Sequence, residues 1–205
     1  MSGLRLIMIL LAPHSACANE KNWKEEIMTV EKEHELKMML TKDEHHFLLH
    51  FFDKLMVESG LQTNYYYDTR DEVMRKRNVT VRVRQKNNKL IGTVKRHLDR
   101  DNCSTEEHFR VDTLPRVIMW DGVPLWLKGS LQTERKVFKG CDGIILMLDL
   151  NRYLGAFDYE LEIEYSESLR KQAEGILMLI GSMVGKLVSN EVISKSERFF
   201  IGFNS

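Results

Sequence analysis

Alternation of polar and apolar residues runs through much of the chain and predicts a protein built mainly of β-strands. Segments with this period of two lie at 29–38, 79–85, 89–97, 106–112, 133–138, 144–149 and 159–165. Residues 41–58 and 167–188 instead place apolar residues three or four positions apart, which predicts two amphipathic helices. We expect Gly60 to end the first helix. The pattern therefore indicates an α+β domain with a mostly antiparallel sheet.

The stretch between the strands at 106–112 and 133–138 lacks a clear period. Pro115, Asp121-Gly122 and Pro124 interrupt residues 113–127, and residues of these types mark turns and loops. We therefore expect this stretch to be irregular.

Several predicted strands carry charged residues at alternate positions. The charged faces comprise Glu33, Glu35 and Lys37, then Arg82 and Arg84, and finally Glu160, Glu162 and Glu164. Like charges two residues apart on a strand are separated by only about 7 Å, so they repel unless an opposite charge lies between them. Rows of glutamates favour a metal ion or basic partners, and paired arginines favour an anion such as phosphate. A solvated outer face explains any single strand of this kind, but several of them in one domain favour a charged interior.

Composition places the chain among globular proteins and weighs against two kinds of partner. The chain has 205 residues, 43% of them hydrophobic, and a formal net charge of zero. Because nucleic-acid-binding domains usually carry a basic excess, we expect no nucleic-acid partner. No apolar stretch reaches the ~20 residues of a membrane span, so we expect no membrane partner. Three cysteines without metal-like spacing fit a reducing compartment, which favours a cytoplasmic location.

The first 27 residues form a separate segment in this interpretation, which leaves the folded domain at 28–205. Arg5 precedes an apolar run at 6–12, and Ala16-Cys17-Ala18 resembles a small-residue cleavage site. A short secretory signal has these features, and it would give an exported protein. The alternative is an N-terminal extension upstream of the domain of a cytoplasmic protein.

Several short motifs occur in an order that resembles a known family. Glu33-His-Glu35-Leu-Lys37 matches the Glu-x-Glu-x-Lys signature of the CYTH superfamily, also called triphosphate tunnel metalloenzymes. Further similar blocks, in the family's order, are 63–69, 81–84, 93–95, 153–155 with 159–162, and 194–199. The set spans most of the chain and is most similar to small stand-alone bacterial members, which are often labelled adenylate cyclases.

The resemblance implies a closed eight-stranded antiparallel β-barrel, or tunnel, with flanking helices, a size that can enclose one small ligand. It also implies Mg²⁺ or Mn²⁺ as the cofactor and a small-molecule triphosphate, inorganic or organic, as the substrate. We therefore expect a metal-dependent triphosphatase. A class IV-type adenylate cyclase and a noncatalytic polyphosphate- or nucleotide-binding module are the alternatives, and a homodimer is left open.

Carried over by position, the family's functional residues fall mostly on the charged strands. The residues expected to hold the phosphates are Lys37, Arg82, Arg84, Lys95, Arg135 and Lys195. The residues expected to bind the metal, directly or through water, are Glu33, Glu35, Glu106, Asp149, Glu160 and Glu162. Lys37 and Glu35 are also the candidate catalytic residues. Glu107 is the alternative to Glu106, and Glu164 is expected at the mouth of the tunnel.

Overall fold

The computed structural model describes residues 27–98, 103–141, 143–188 and 192–204. Its strands are β1 (Ile27–Leu40), β2 (Met56–Asp68), β3 (Val79–Lys86), β4 (Lys89–His97), β5 (Cys103–Val111), β6 (Val117–Trp120), β7 (Val123–Lys139), β8 (Ile144–Tyr153) and β9 (Ala156–Tyr165). Its helices are α1 (Lys42–Phe52), α2 (Val73–Lys76), α3 (Arg170–Met183) and α4 (Lys195–Phe203). The signal-like features considered above lie outside the described residues, and β1 begins at Ile27.

Pairing between β2 and β7 closes the sheet into a barrel. The strands follow the order β2-β3-β4-β5-β1-β9-β8-β7, and the hydrogen bonds of β2 with β7 join the two ends. All of these pairs are antiparallel. β6 adds a short hairpin at the beginning of β7. The predicted closed eight-stranded antiparallel barrel with flanking helices is therefore confirmed.

The barrel wall is apolar on its outer face and charged on its inner face. On β1, Leu36 and Met38 are buried on the outside, whereas Glu35 and Lys37 alternate with them and line the interior. Helices α1 and α3 cover the outer faces of β1, β8 and β9, and β6 packs over the outer face of β3, including Val81. Because each buried aliphatic side chain contributes about 2 kcal/mol, the outer face stabilises the fold and leaves the interior free for charged groups.

Aromatic residues of helix α4 pack against the inside of the barrel wall. Phe199 and Phe200 form a cluster with Tyr66 of β2 and Leu131 of β7. The Phe199 ring lies so close to Gly129 that a Cβ atom at this position would be 2.8 Å from the ring. A larger residue at 129 would therefore displace the ring and the helix that carries it.

Helix α4 was not predicted from the sequence, although a local signal for it exists. The Ser194 hydroxyl accepts a hydrogen bond from the backbone N–H of Glu197 at 3.2 Å, which caps the helix. A serine followed three residues later by a glutamate is a common beginning of a helix. The cap orients the first turn so that Lys195 lines the barrel interior.

The first predicted helix, 41–58, is wrong in its final part. α1 ends at Phe52, a 3-10 turn covers Asp53–Leu55, and β2 follows. Gly60 lies within β2 and ends no helix. The strand escaped prediction because its inward residues, such as Gln62 and Asn64, are polar yet buried. The usual assignment of apolar positions to the buried face therefore gives no clear strand pattern there.

Two other boundaries differ from the prediction. Residues 113–127, which were expected to be irregular, contain β6 and the beginning of β7, joined at Asp121 and Gly122. These two residues have φ of 50° and 73°, which suits a tight hairpin turn. The second predicted helix is shorter than 167–188, because Glu167–Leu169 form a 3-10 turn and α3 ends at Met183. Within the described ranges, no helix is long and apolar enough to cross a membrane.

Candidate active site

The inward side chains line a cavity inside the barrel. β1, β3, β4, β7 and β9 provide most of its wall, together with the beginning of α4. The charged lining residues are Glu33, Glu35, Lys37, Arg82, Arg84, Lys95, Arg135, Glu162, Glu164 and Lys195. Because a charged side chain loses much of its hydration inside the barrel, each of these residues needs an opposite charge or a ligand nearby.

Three carboxylates surround Lys95 of β4, and we refer to Lys95 with Glu33, Glu35 and Glu106 as the Lys95 cluster. The Lys95 Nζ lies 3.0 Å from Glu35 and 3.2 Å from Glu106, and it also contacts Glu33. The strand register places Lys95 directly opposite Glu106 of β5. Strands β1, β4 and β5 are adjacent in the barrel, so the sheet alone assembles this cluster.

A second cluster forms around Lys195 of α4, and we refer to Lys195 with Asp149, Glu160 and Glu162 as the Lys195 cluster. The Lys195 Nζ lies 2.8 Å from Asp149 and 2.9 Å from Glu162, and it also contacts Glu160. The register of β8 and β9 places Asp149 opposite Glu160. The side chains of the three acidic residues are at most 4% exposed, so this cluster is closed to solvent.

Two basic residues tie the clusters together. The Lys37 Nζ lies 3.1 Å from Glu35 and 2.7 Å from Glu162, so it bridges the two clusters. Arg135 of β7 donates two hydrogen bonds to Asp149, at 2.8 and 2.6 Å, and also contacts Glu162. Burial opposes the charge on Lys37, but Glu162 and Glu35 outweigh it and raise the pKa of Lys37. Lys37 therefore stays protonated and acts as a cation rather than as a base.

The two arginines of β3 are less fully compensated. Arg82 lies 3.4 Å from Glu106, whereas Arg84 donates a hydrogen bond of 2.9 Å to the Asn64 side chain. Within the described part of the chain, Arg84 pairs with no carboxylate. Burial, Arg82 and Arg135 lower the pKa of Arg84 to about 10, so it remains charged at neutral pH. A partly buried guanidinium without an acidic partner is suited to bind an anion, and its planar fork matches phosphate oxygens.

The carboxyls of the Lys95 cluster differ in their electrostatic surroundings. Burial and the neighbouring Glu35 raise the pKa of Glu33 to about 7. Burial also opposes ionisation of Glu106, but Arg82 and Lys95 outweigh it and lower the pKa of Glu106 to about 2. Glu106 is therefore ionised throughout the neutral range, whereas Glu33 is protonated in part unless another cation is present.

The structure brings together every phosphate- and metal-binding candidate named from the sequence. Each one lines the cavity or takes part in the ion pairs beneath it. Of the two alternatives on β5, Glu106 belongs to the Lys95 cluster, whereas Glu107 is on the other face and pairs with Arg96 at 2.7 Å. Glu164 lines both the cavity and a neighbouring surface opening that includes Glu31. The roles of these residues remain predictions.

Arg198 belongs to the motif at 194–199, but neither it nor Asp158 was among the site residues predicted from the sequence. In the structure, Arg198 donates hydrogen bonds to Glu160 at 2.7 Å and to Asp158 at 2.8 Å. The alternation of β9 places Asp158 on the same face as Glu160, which was the available signal. Nothing in the local sequence indicates that Arg198 would reach them.

The carboxylates of the Lys195 cluster fit a hard divalent cation. One oxygen from each of Asp149, Glu160 and Glu162 lies within 4.8 Å of the other two. Carboxylate oxygens are the ligands that Mg²⁺ prefers and that suit Mn²⁺. The Nζ of Lys195 contacts all three, while burial, Lys37 and Arg135 lower the pKa of Lys195 well below its usual value.

The closed antiparallel barrel and its charged interior define a tunnel-type barrel domain. The CYTH domain family matches residues 31–180, so the chain belongs to this family. The Bacillus subtilis (strain 168) protein named "Putative triphosphatase YjbK" is 29% identical over 154 residues, which cover 68% of this chain and 80% of that protein.

Solved structures show the same fold. A Bacillus halodurans protein described as a "putative adenylate cyclase" superposes with a TM-score of 0.68 at 24% identity, over 84% of this chain and 100% of that one. HpAC1 from Hippeastrum gives a TM-score of 0.67 at 20% identity, over 83% of this chain and 96% of that one.

Proposed function

We propose that the protein is a metal-dependent triphosphatase that hydrolyses an inorganic or organic triphosphate inside the barrel. The observation that carries the proposal is the joint enclosure of two carboxylate clusters and the incompletely paired arginines of β3 around one cavity. Membership of the CYTH family supports it, as does similarity to a protein named as a triphosphatase.

The charge balance of the cavity supports a requirement for divalent metal. The candidate residues include as many carboxylates as basic side chains, and most of them are already paired with one another. A triphosphate would add several negative charges to this space, and an uncompensated buried charge is strongly unfavourable. Entry of the triphosphate together with Mg²⁺ or Mn²⁺ would restore the balance.

Asp149, Glu160 and Glu162 would hold one divalent ion, and the carboxylates of the Lys95 cluster are the other candidate ligands. A bound divalent ion would withdraw charge from the phosphoryl oxygens and orient the phosphate chain. The geometric support for this assignment is stronger in the Lys195 cluster, because its three carboxylates converge within 4.8 Å.

The remaining residues would bind the phosphates and stabilise the developing charge. Arg82 and Arg84 would hold phosphate oxygens through their guanidinium forks. Lys37 stays protonated and would offset negative charge on the reacting phosphoryl group. Burial opposes ionisation of Glu35, but Lys37 and Lys95 lower its pKa well below the usual value. Glu35 would therefore stay ionised and orient these two lysines. Phosphoryl transfer passes through a loose transition state, so its catalysis depends mainly on such positioning and on charge stabilisation.

Hydrolysis is favoured over cyclisation by the character of the cavity. Among its described lining residues, Tyr66 and His97 are the only ones with rings, and the others are charged or bear hydroxyl groups. This lining offers little apolar surface for an adenine base, whereas it suits a phosphate chain. HpAC1, which shares the fold, is described as having a dominant triphosphatase activity.

The test is to identify the products by ³¹P NMR. The protein is incubated with inorganic triphosphate, thiamine triphosphate or ATP, each with Mg²⁺, with Mn²⁺ or with EDTA. We expect metal-dependent release of orthophosphate from at least one of them. Formation of diphosphate and cyclic AMP from ATP would establish the cyclase instead. Substrates that bind but stay intact with both metals would indicate a noncatalytic binding module.

A further inference from the structure

Arg198 of helix α4 links two acidic side chains of β9. Its Nη2 donates a hydrogen bond to Glu160 Oε2 at 2.7 Å, and its Nε donates one to Asp158 Oδ2 at 2.8 Å. Its Nη1 donates to the carbonyl of Ile193 at 2.6 Å. The Arg198 side chain is 11% exposed and that of Glu160 is fully buried, so these contacts are shielded from water.

The barrel holds Asp158 in turn through hydrogen bonds from uncharged side chains. Asp158 accepts one hydrogen bond from the Asn151 side chain at 2.9 Å and another from the Tyr153 hydroxyl at 2.8 Å. The Thr133 hydroxyl in turn donates to the Asn151 side chain at 2.7 Å. Burial and the bond to Asp158 raise the pKa of Tyr153 to about 12, so its hydroxyl remains a donor at neutral pH. β7, β8 and β9 thus fix the carboxylate that anchors Arg198.

The two oxygens of Glu160 have different partners. Oε2 accepts the hydrogen bond from Arg198, whereas Oε1 contacts Lys195. Lys195 also contacts Asp149 and Glu162, so Oε1 lies next to the group of carboxylates that fits a metal. Arg198 therefore fixes the orientation of Glu160 through Oε2 and leaves Oε1 directed toward Lys195.

We propose that Arg198 is a positioning residue that orients the Glu160 carboxylate for divalent-metal binding, and that Asp158 holds Arg198 in place for this task. The inference rests on the proposed metal-dependent function. Asp158 offsets the charge of Arg198, so the pair orients Glu160 with little added repulsion toward a metal ion. Because Arg198 belongs to α4, docking of this helix and formation of the metal site are coupled.

The experiment measures Mn²⁺ binding directly, by isothermal titration calorimetry on the full-length protein. It compares the wild type with Arg198→Gln, Arg198→Lys and the control Glu197→Gln. The control weakens the pairing of Glu197 with Arg75, which anchors the same helix away from the carboxylates of the Lys195 cluster. Loss of an interaction that orients a metal ligand typically weakens metal binding about 10- to 100-fold.

We expect Arg198→Gln to weaken Mn²⁺ binding at least about tenfold, Arg198→Lys to recover part of the affinity, and Glu197→Gln to match the wild type. The Mn²⁺ concentration for half-maximal hydrolysis should rise in parallel, while the KM for triphosphate at saturating Mn²⁺ stays nearly constant. Wild-type or tighter binding by Arg198→Gln would overturn the inference but not the proposed function. An equal loss in Glu197→Gln would show that helix docking alone is responsible and would also overturn it. Absence of Mn²⁺ binding in the wild type would overturn both.

Discussion

The Lys95 and Lys195 clusters have the same arrangement of acidic and basic groups but are assembled in different ways. Each places one lysine among three carboxylates. Lys95 lies on strand β4 of the barrel wall, and Glu33 beside it is 25% exposed. Lys195 belongs to the C-terminal helix, and the carboxylates around it are almost completely buried.

This difference in exposure changes how the repulsion between carboxylates is compensated in the two clusters. Water and ions can reach the Lys95 cluster through Glu33, so solvent screens part of its repulsion. The Lys195 cluster depends on the docking of α4, which brings both Lys195 and Arg198 to its carboxylates. The stability contributed by the Lys95 cluster should therefore change with pH. The stability contributed by the Lys195 cluster should change when one of its basic side chains is removed.

The largest expected contrast comes from removing each lysine. Lys195→Met leaves three buried acidic side chains without the amine that contacts all of them, which should cost about 3–5 kcal/mol of the free energy of unfolding. Lys95→Met should cost less, about 1–3 kcal/mol, because its cluster is partly solvated. Urea unfolding with EDTA at neutral pH measures both. An equal loss in the two variants, or a larger one for Lys95→Met, would contradict the contrast.

The second contrast concerns metal binding by carboxylates. If Glu160 is a metal ligand, Glu160→Gln should lower kcat/KM by about 100-fold, which corresponds to about 3 kcal/mol of charge stabilisation. Raising the Mn²⁺ concentration should recover part of the activity. Glu107→Gln is the matched control, because Glu107 pairs with Arg96 outside the clusters. Near-normal hydrolysis by Glu160→Gln would refute the assignment.

A third prediction separates phosphate binding from metal binding. Arg84→Ala removes the guanidinium that lacks an acidic partner among the described residues, so the KM for triphosphate should rise about 10- to 100-fold. Extra metal should not restore it, since the lost contact is with the ligand. Arg96→Ala, on the neighbouring strand, should leave the KM unchanged because Arg96 is paired with Glu107. Rescue of Arg84→Ala by Mn²⁺ alone would argue against phosphate binding by Arg84.

The smallest expected effect is the pH dependence of the stability that the Lys95 cluster contributes. Burial and Glu35 raise the pKa of Glu33 to about 7 from its ordinary value of 4.5. The folded protein therefore binds the proton more tightly, and this stabilisation is present below pH 4.5 and is lost as the pH rises through about 7. Because Glu33 is 25% exposed, we expect only about 1 kcal/mol. With EDTA, wild-type stability should fall more than that of Glu33→Gln between pH 5 and pH 8. Parallel curves would show that Glu33 does not titrate in this range.

The period of two within each strand predicted which residues share a face, and this was sufficient to propose a charged interior. Glu160 and Glu162 on β9 and Arg82 and Arg84 on β3 illustrate the point, because backbone geometry alone fixes their common side. The closed barrel inferred from the resemblance is confirmed. The residues that meet across strands, such as Lys95 and Glu106, depend on register, which no single segment encodes.

The parts that escaped prediction depend on contacts between distant segments. β2 was missed because Gln62 and Asn64 are polar yet buried inside the barrel, where Asn64 accepts a hydrogen bond from Arg84. α4 has a serine cap, but its position next to β9 depends on packing of Phe199 against Tyr66 and Gly129. The contact of Arg198 with Glu160 therefore became visible only once the barrel was assembled.

The central claim is that a metal ion and a triphosphate bind together inside the barrel. A crystal structure with Mn²⁺ and a non-hydrolysable triphosphate analogue tests it most directly, since anomalous scattering locates the manganese. We predict a manganese peak among Asp149, Glu160 and Glu162 and phosphate oxygens on Arg82 and Arg84. An analogue bound on the outer surface, or inside the barrel with no manganese at any carboxylate of either cluster, would contradict the account.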